Sequence, residues 1–243
     1  MSRTWLNPTR RSVLQGATAG FMLGRFATPL FAEEHAPQAL ADYQPTYFTA
    51  QEWAFVMAAT ARLIPSEGEG PGAIEARVPI FIDLQLAADF GEAADWYMEG
   101  PFQPDADPRL GYQTPLTPAQ VYRQGINAFD HWCKSAQGGS FAELAPEKQD
   151  AALTALEKNA APAATPDGKG AAILPPELRD FFHLLLQNTK EGYFADPKYG
   201  GNHGMQAWVY IGFPGARASY TEWVGKHNVA YPLGPVSISG ERA

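Results

Sequence analysis

The stretch TAQEWAFVMAATARLIP, Thr49 to Pro65, carries both a start and a stop for a helix. Thr49 and Glu52 have capping-box spacing: the threonine hydroxyl can accept the backbone N–H three residues on, and the glutamate can reach back. Behind the cap, Trp53, Val56, Met57, Ala61 and Ile64 recur at helical spacing, and Pro65 stops the run. A well-marked helix at this point sets the expectation for the rest of the chain.

Working outward, the same grammar recurs. The acidic glycine turn SEGEGPG follows, then Pro79 in first-turn position ahead of an apolar segment from Ile80 to Phe90. The stretch DWYMEGPFQPDADPRLGYQTPLTP is too irregular for helix or alternating strand, and predicts an ordered surface loop with packing of its own. Thr117 and Gln120 form a second capping signature with Pro118 at the first helical position. Val121, Tyr122, Ile126, Phe129, Trp132 and Cys133 then mark a helix to about Gln137, ended by Gly138 and Gly139. A further helix is predicted over Pro146 to Lys158, with Ala152, Leu153 and Leu156 as its apolar positions. After a low-complexity stretch from Ala160 to Ala172, another opens at Pro175, so apolar at Phe181, Phe182, Leu184, Leu185 and Leu186 that most of it must be buried. No segment alternates with a period of two. The fold expected is mainly α: an irregular helical bundle with long ordered loops rich in proline, glycine and aromatic residues, and an extended C-terminal tail.

That tail, GYFADPKYGGNHGMQAWVYIGFPGARASYTEW from Gly192, sets Tyr193, Phe194, Tyr199, Trp208, Tyr210 and Phe213 among glycines and prolines. Rings at this density must either cover the helical body or face another protein.

Charge and cysteine narrow the function classes. Setting aside the four arginines of residues 1–32, a stretch without acids, leaves 14 basic against 26 acidic residues, a net charge of −12. Such a body repels phosphate backbones, which argues against a nucleic-acid partner. A single cysteine, Cys133, excludes four-cysteine iron–sulfur ligation and CxxCH haem attachment in this chain. The thiol is either a small buried hydrophobe or the half of a bridge to another chain.

The first residues carry an address. Arg10 and Arg11, within TRRSVLQ, resemble the twin-arginine translocation signal of bacteria, which exports proteins already folded. Val13 to Leu23 behind them is apolar but well short of the ~20 residues a membrane span requires, and Ala27 to Ala32 ends it with small residues. The chain divides into a signal segment over 1–32, a flexible linker over 33–46 and one helical domain over 47–243.

Catalytic motifs are scarce. None of His35, His131, His183, His203 and His227 forms an i, i+4 pair, and there is no HExxH, P-loop or GxSxG. Asp180 and His183, three apart on a helix, fit a salt bridge or hydrogen bond better than a metal site. Gly68 to Gly72 lacks the preceding strand of a dinucleotide loop. In Asp196-Pro-Lys-Tyr-Gly-Gly-Asn-His203, the glycines permit tight backbone approach. The favoured reading there is a turn whose Asp196 and Asn202 bond their own backbone; the alternative is that Asn202 and His203 present polar groups to a ligand.

Two stretches carry a resemblance. YFTAQEWAFVMAATARLIPSEGEGPGAIEARVPIFIDLQL and GYFADPKYGGNHGMQAWVYIGFPGA resemble the gluconate 2-dehydrogenase subunit 3 family over about Tyr47 to Trp223. The more specific signature is F-x-D-P-x-Y-G-G-N followed by W and G-F-P-G-A. The resemblance implies a small, non-catalytic subunit without a cofactor of its own, beside two partners. One is a large flavoprotein of the glucose–methanol–choline type, for which it allows FAD and an iron–sulfur cluster. The other is a multihaem cytochrome c subunit carrying haem c. It further implies export through the twin-arginine translocase, with the folded flavoprotein attached, to a membrane-associated periplasmic complex. The substrate of such a complex would be gluconate, 2-ketogluconate, fructose, sorbitol or glucose. Beside this, Tyr193, Phe194, Tyr199, Trp208 and Phe213 are expected at or just behind the partner interface, and Cys133 is a candidate for an intersubunit disulfide. Two rival readings are a transient export chaperone and a stand-alone exported metal-dependent helical oxidoreductase.

Overall fold

Both threonine caps are made. The Glu52 amide donates to Thr49 Oγ1 at 3.3 Å and the Thr49 amide to Glu52 Oε2 at 2.9 Å. At the second cap the Gln120 amide donates to Thr117 Oγ1 at 3.4 Å and the Thr117 amide to Gln120 Oε1 at 2.9 Å. These caps satisfy amides that the first helical turn leaves without intrahelical partners. The computed structural model describes residues 39–159 and 171–243. Arg10 and Arg11 and most of the 160–172 stretch lie outside the described residues.

Among the described residues six α-helices follow in order: α1 (Ala50–Leu63), α2 (Val78–Leu86), α3 (Pro118–Gln137), α4 (Pro146–Glu157), α5 (Phe181–Phe194) and the short α6 (Gln206–Ile211). Among the described residues there is no strand, only isolated bridges pairing Val236 with Gly215 and Arg242. The mainly α expectation holds. A single-turn 3-10 segment, Pro176–Leu178, stands where a helix start at Pro175 was expected, and α5 begins at Phe181. The second apolar helix ends at Leu86 rather than Phe90.

The core is built from aromatic rings contributed by α1, α3, α5 and the turn before α4. Phe55 meets Phe129, Phe141 and Phe181 at centroid distances of 6.1, 5.1 and 6.1 Å, and Tyr122 meets Phe181 edge-on at 5.7 Å. Gly125 lets α3 approach this cluster closely, since a Cβ there would stand 2.4 Å from the Phe181 ring. The buried face of α1 is Glu52, Phe55, Val56, Ala59 and Thr60, so the expected stripe of Trp53, Val56, Met57, Ala61 and Ile64 is rotated by about one residue. Alanines fill much of this helix, and their side chains say little about which face turns inward. Trp53 instead edges the core, 5.3 Å from the Tyr43 ring.

Two buried acids tie distant segments together. Glu52 is paired with Arg123 at 2.8 Å, and Arg123 also donates to the Tyr47 carbonyl at 3.0 Å and lies over the Tyr47 ring. Asp83 on α2 is fully buried and accepts four hydrogen bonds: from Tyr43 Oη and the Thr46 amide at 2.7 Å, and from the Tyr47 and Phe48 amides at 3.0 Å. A buried carboxylate is tolerated where donors satisfy it in this way. Tyr43 and Thr46, at the end of the stretch expected as a linker, are thereby tied to the helical body, while residues 33–38 of that stretch lie outside the described residues.

The expected surface loop has packing of its own. Phe90, Trp96 and Tyr112 stack edge-to-face at 5.9 and 5.0 Å, and Tyr112 Oη donates to the Leu116 carbonyl at 2.6 Å.

Candidate partner-docking surface

The segment Asp196–Trp208 turns the chain back onto the end of α5 and aims α6 outward. Asp196 accepts the Lys198 amide through Oδ1 at 3.2 Å and the Ile238 amide through Oδ2 at 2.7 Å. The next residues form a 3-10 turn, Pro197–Tyr199, closed by Gly200 at φ +92°. Gly201 then lies against Gly192 of α5, where a Cβ would meet the Gly192 carbonyl oxygen at 2.2 Å, so only glycine fits.

Asn202 is the fastener. It is fully buried at φ +42°, its amide donates to the Gly192 carbonyl at 3.0 Å, and its Nδ2 to the Ala195 carbonyl at 3.0 Å. Its Oδ1 accepts the Ala207 amide in the first turn of α6, also at 3.0 Å. All three polar groups are thereby used on backbone. The structure realises the backbone-bonding reading of Asp196 and Asn202. His203 sends its amide to the Ala76 carbonyl at 3.2 Å, and burial, with the charge of Arg77, lowers the pKa of its ring.

This geometry sorts the aromatic residues of the tail. Tyr193 and Trp208 point inward and are anchored: Tyr193 Oη donates to the Pro71 carbonyl at 2.8 Å and Trp208 Nε1 to the Phe194 carbonyl at 2.9 Å. Phe194, Tyr199 and Phe213 are 45%, 44% and 43% exposed. In addition α6 carries three consecutive apolar residues, Val209, Tyr210 and Ile211, exposed by 56%, 57% and 53%. Successive helical residues step by about 100°. With Trp208 turned into the core, these three fan across the outer side of α6 as a ridge.

A charged loop borders the ridge. A shallow cavity of about 380 Å³ is lined by Glu69, Gly70 and Pro71 of the acidic turn and by Gln206, Val209 and Tyr210 of α6. Glu67 and Glu69 are exposed and form no ion pair among the described residues. Glu75 closes the turn by accepting the Gly72 amide at 3.1 Å, and hydrogen bonds to its own amide, Ser66 and Gly72 hold its carboxyl below the ordinary range.

Cys133 is not part of this surface. It lies fully buried in the core on α3, and burial, aided by the charge of Asp130, pushes its thiol up to about 12. A thiol in that position cannot meet a cysteine of another chain, which corrects the intersubunit-disulfide expectation. Asp180 is partly buried, and desolvation raises its carboxyl despite Arg179, whose Nε is 3.9 Å away; His183 is exposed. Among the described residues, no three His, Cys, Asp or Glu side chains are placed to hold a metal ion.

Sequence reasoning missed Val209 and Ile211 as surface residues, and missed Asp83 altogether. The run Trp208-Val-Tyr-Ile211 between glycine-rich turns was the available signal for the former. A helix of six residues can bury only one of its sides.

A family model described as gluconate 2-dehydrogenase subunit 3 matches residues 50–215. The match begins with α1, spans all six helices and ends at Gly215, where the tail bridges to Val236. No curated protein and no solved structure matches the chain.

Proposed function

Because the chain belongs to the gluconate 2-dehydrogenase subunit 3 family, we propose that it is the non-catalytic small subunit of a periplasmic, membrane-associated, FAD-dependent sugar or sugar-acid dehydrogenase complex. It carries the twin-arginine signal at Arg10 and Arg11, stabilises the folded flavoprotein subunit and brings it through the translocase. FAD, and an iron–sulfur cluster where present, belong to the large subunit, and haem c to a cytochrome subunit.

The observation that carries this reading is the exposure of six apolar residues in one part of the chain: Val209, Tyr210 and Ile211 on α6, Phe213 just beyond it, and Phe194 and Tyr199 at the end of α5 and in the turn that follows. Aromatic side chains present ~150–250 Å² each, so six apolar residues about half exposed leave on the order of 500 Å² uncovered. A patch of that size is at the upper end for a monomer and fits the apolar centre of a standard interface, ~800 Å² per partner. These residues rest on a rigid base, the Gly192–Gly201–Asn202 contact, so little ordering entropy is lost on docking.

The test is to tag the chain at its C-terminus in its native host and purify it from periplasmic and membrane fractions. Co-elution at equal stoichiometry of a large flavoprotein, with flavin and haem absorption and dye-linked dehydrogenase activity, is expected. Presence in the export intermediate but not in the mature complex would favour a transient escort. A lone chain with its own metal or activity would overturn the reading.

A further inference from the structure

The ridge on α6 and the acidic turn are distant in sequence and joined only by the fold. Glu69, Gly70 and Pro71 share one cavity wall with Val209 and Tyr210. Tyr193 fixes the turn in place through its bond to the Pro71 carbonyl, and Glu75 fixes it through the Gly72 amide. The rim of the ridge on this side therefore carries the exposed carboxylate of Glu69 beside an apolar centre, and the exposed Glu67 stands two residues earlier on the same acidic turn, within range of the charge of Arg62. Elsewhere the chain offers no compensating excess of positive charge: outside the leader it has 14 basic against 26 acidic residues.

Resting on the subunit reading above, we infer that the partner subunit presents an apolar hollow bordered by lysine or arginine. The Val209–Tyr210–Ile211 ridge seats in the hollow, and Glu67 and Glu69 meet its basic border. The apolar contact supplies most of the affinity, because well-packed aromatic anchors at an interface centre dominate it. The rim charges mainly steer encounter and fix orientation, because charges at a solvated edge act on association rate more than on dissociation. The acidic turn thus selects which apolar surfaces the ridge accepts, and excludes a second copy of this acidic chain, whose own carboxylates would be placed against it.

The experiment measures association of the purified chain with its purified large subunit over a range of ionic strength. The variants are Glu67→Lys/Glu69→Lys and, as a control of equal charge change, Glu157→Lys/Glu177→Lys at exposed positions on α4 and before α5. The unmodified chain should associate more slowly as salt rises. The Glu67→Lys/Glu69→Lys chain should associate roughly tenfold more slowly at low salt and lose or reverse the salt dependence, with dissociation changed far less. The control should stay near the unmodified rate. Equal slowing by both double variants overturns the inference, since net charge alone would then account for the effect. Unchanged association by Glu67→Lys/Glu69→Lys while Tyr210→Ala releases the partner overturns the basic border but leaves the subunit reading standing. No binding by the unmodified chain at any salt concentration removes both.

Discussion

Replacing Asp83 by alanine should loosen the point at which the chain enters its folded body. The carboxylate accepts from three successive backbone amides, Thr46, Tyr47 and Phe48, and from the Tyr43 hydroxyl. These donors differ in what they lose. Thr46 is exposed and its amide rehydrates, Tyr47 is partly buried, and Phe48 is buried, leaving its amide without a partner. An orphaned buried donor costs ~1–3 kcal/mol, so about 2 for Phe48 and about 1 for Tyr47 give a loss near 3 kcal/mol before packing is counted. In a body of about 200 residues each kcal/mol lowers the melting temperature by ~2–4 °C, so Asp83→Ala should melt about 10 °C below the unmodified protein. Asp83→Asn preserves volume but turns an NH2 group toward donors, and should recover less than half of that. Thermal unfolding followed by far-ultraviolet circular dichroism reads the global loss. Hydrogen exchange reads the local one, with the amides of residues 46–48 losing protection first. A melting temperature within 2 °C of the unmodified protein, with the Phe48 amide still protected, would refute the anchoring role.

Three further outcomes follow from the same structure. Val209→Ser/Tyr210→Ala should release the partner subunit on co-purification while leaving the melting temperature within about 1–2 °C, because exposed positions contribute little to stability; retention of the partner would count against α6 as the docking ridge. Gly201→Ala places a Cβ 2.2 Å from the Gly192 carbonyl oxygen, and should cost about 2 kcal/mol or more and lower the soluble yield, both measurable by chemical unfolding. Cys133 should resist maleimide at pH 8 until the protein unfolds, since its thiol is buried and raised from its ordinary 9.0 to about 12. The unfolded chain ionises this thiol first, so its contribution to stability is complete below about pH 9 and is lost between about 9 and 12. Replacing it with alanine should flatten that part of the pH–stability curve.

The capped starts of α1 and α3, the apolar positions of α3 and α4 and the helical class were legible in the sequence because local rules govern them. A threonine three residues before a glutamate or glutamine closes its own hydrogen bonds whatever the rest of the chain does. The phase of α1 was not legible, since its alanines fit either face and only Phe55, meeting three rings from other elements, fixes which side is buried. The tail read as aromatic and interactive, but composition could not separate Tyr193 and Trp208, which are anchored inward, from Phe194, Tyr199 and Phe213, which are not. That division depends on where their polar atoms find partners, at Pro71 and Phe194. Cys133 stood open between core and bridge, and burial on α3 decided it. Most of all, the sequence alone placed the acidic turn and the α6 ridge 140 residues apart. Their meeting is a property of the tertiary structure, because it requires Gly192 and Gly201 to touch and Asn202 to lock the return of the chain.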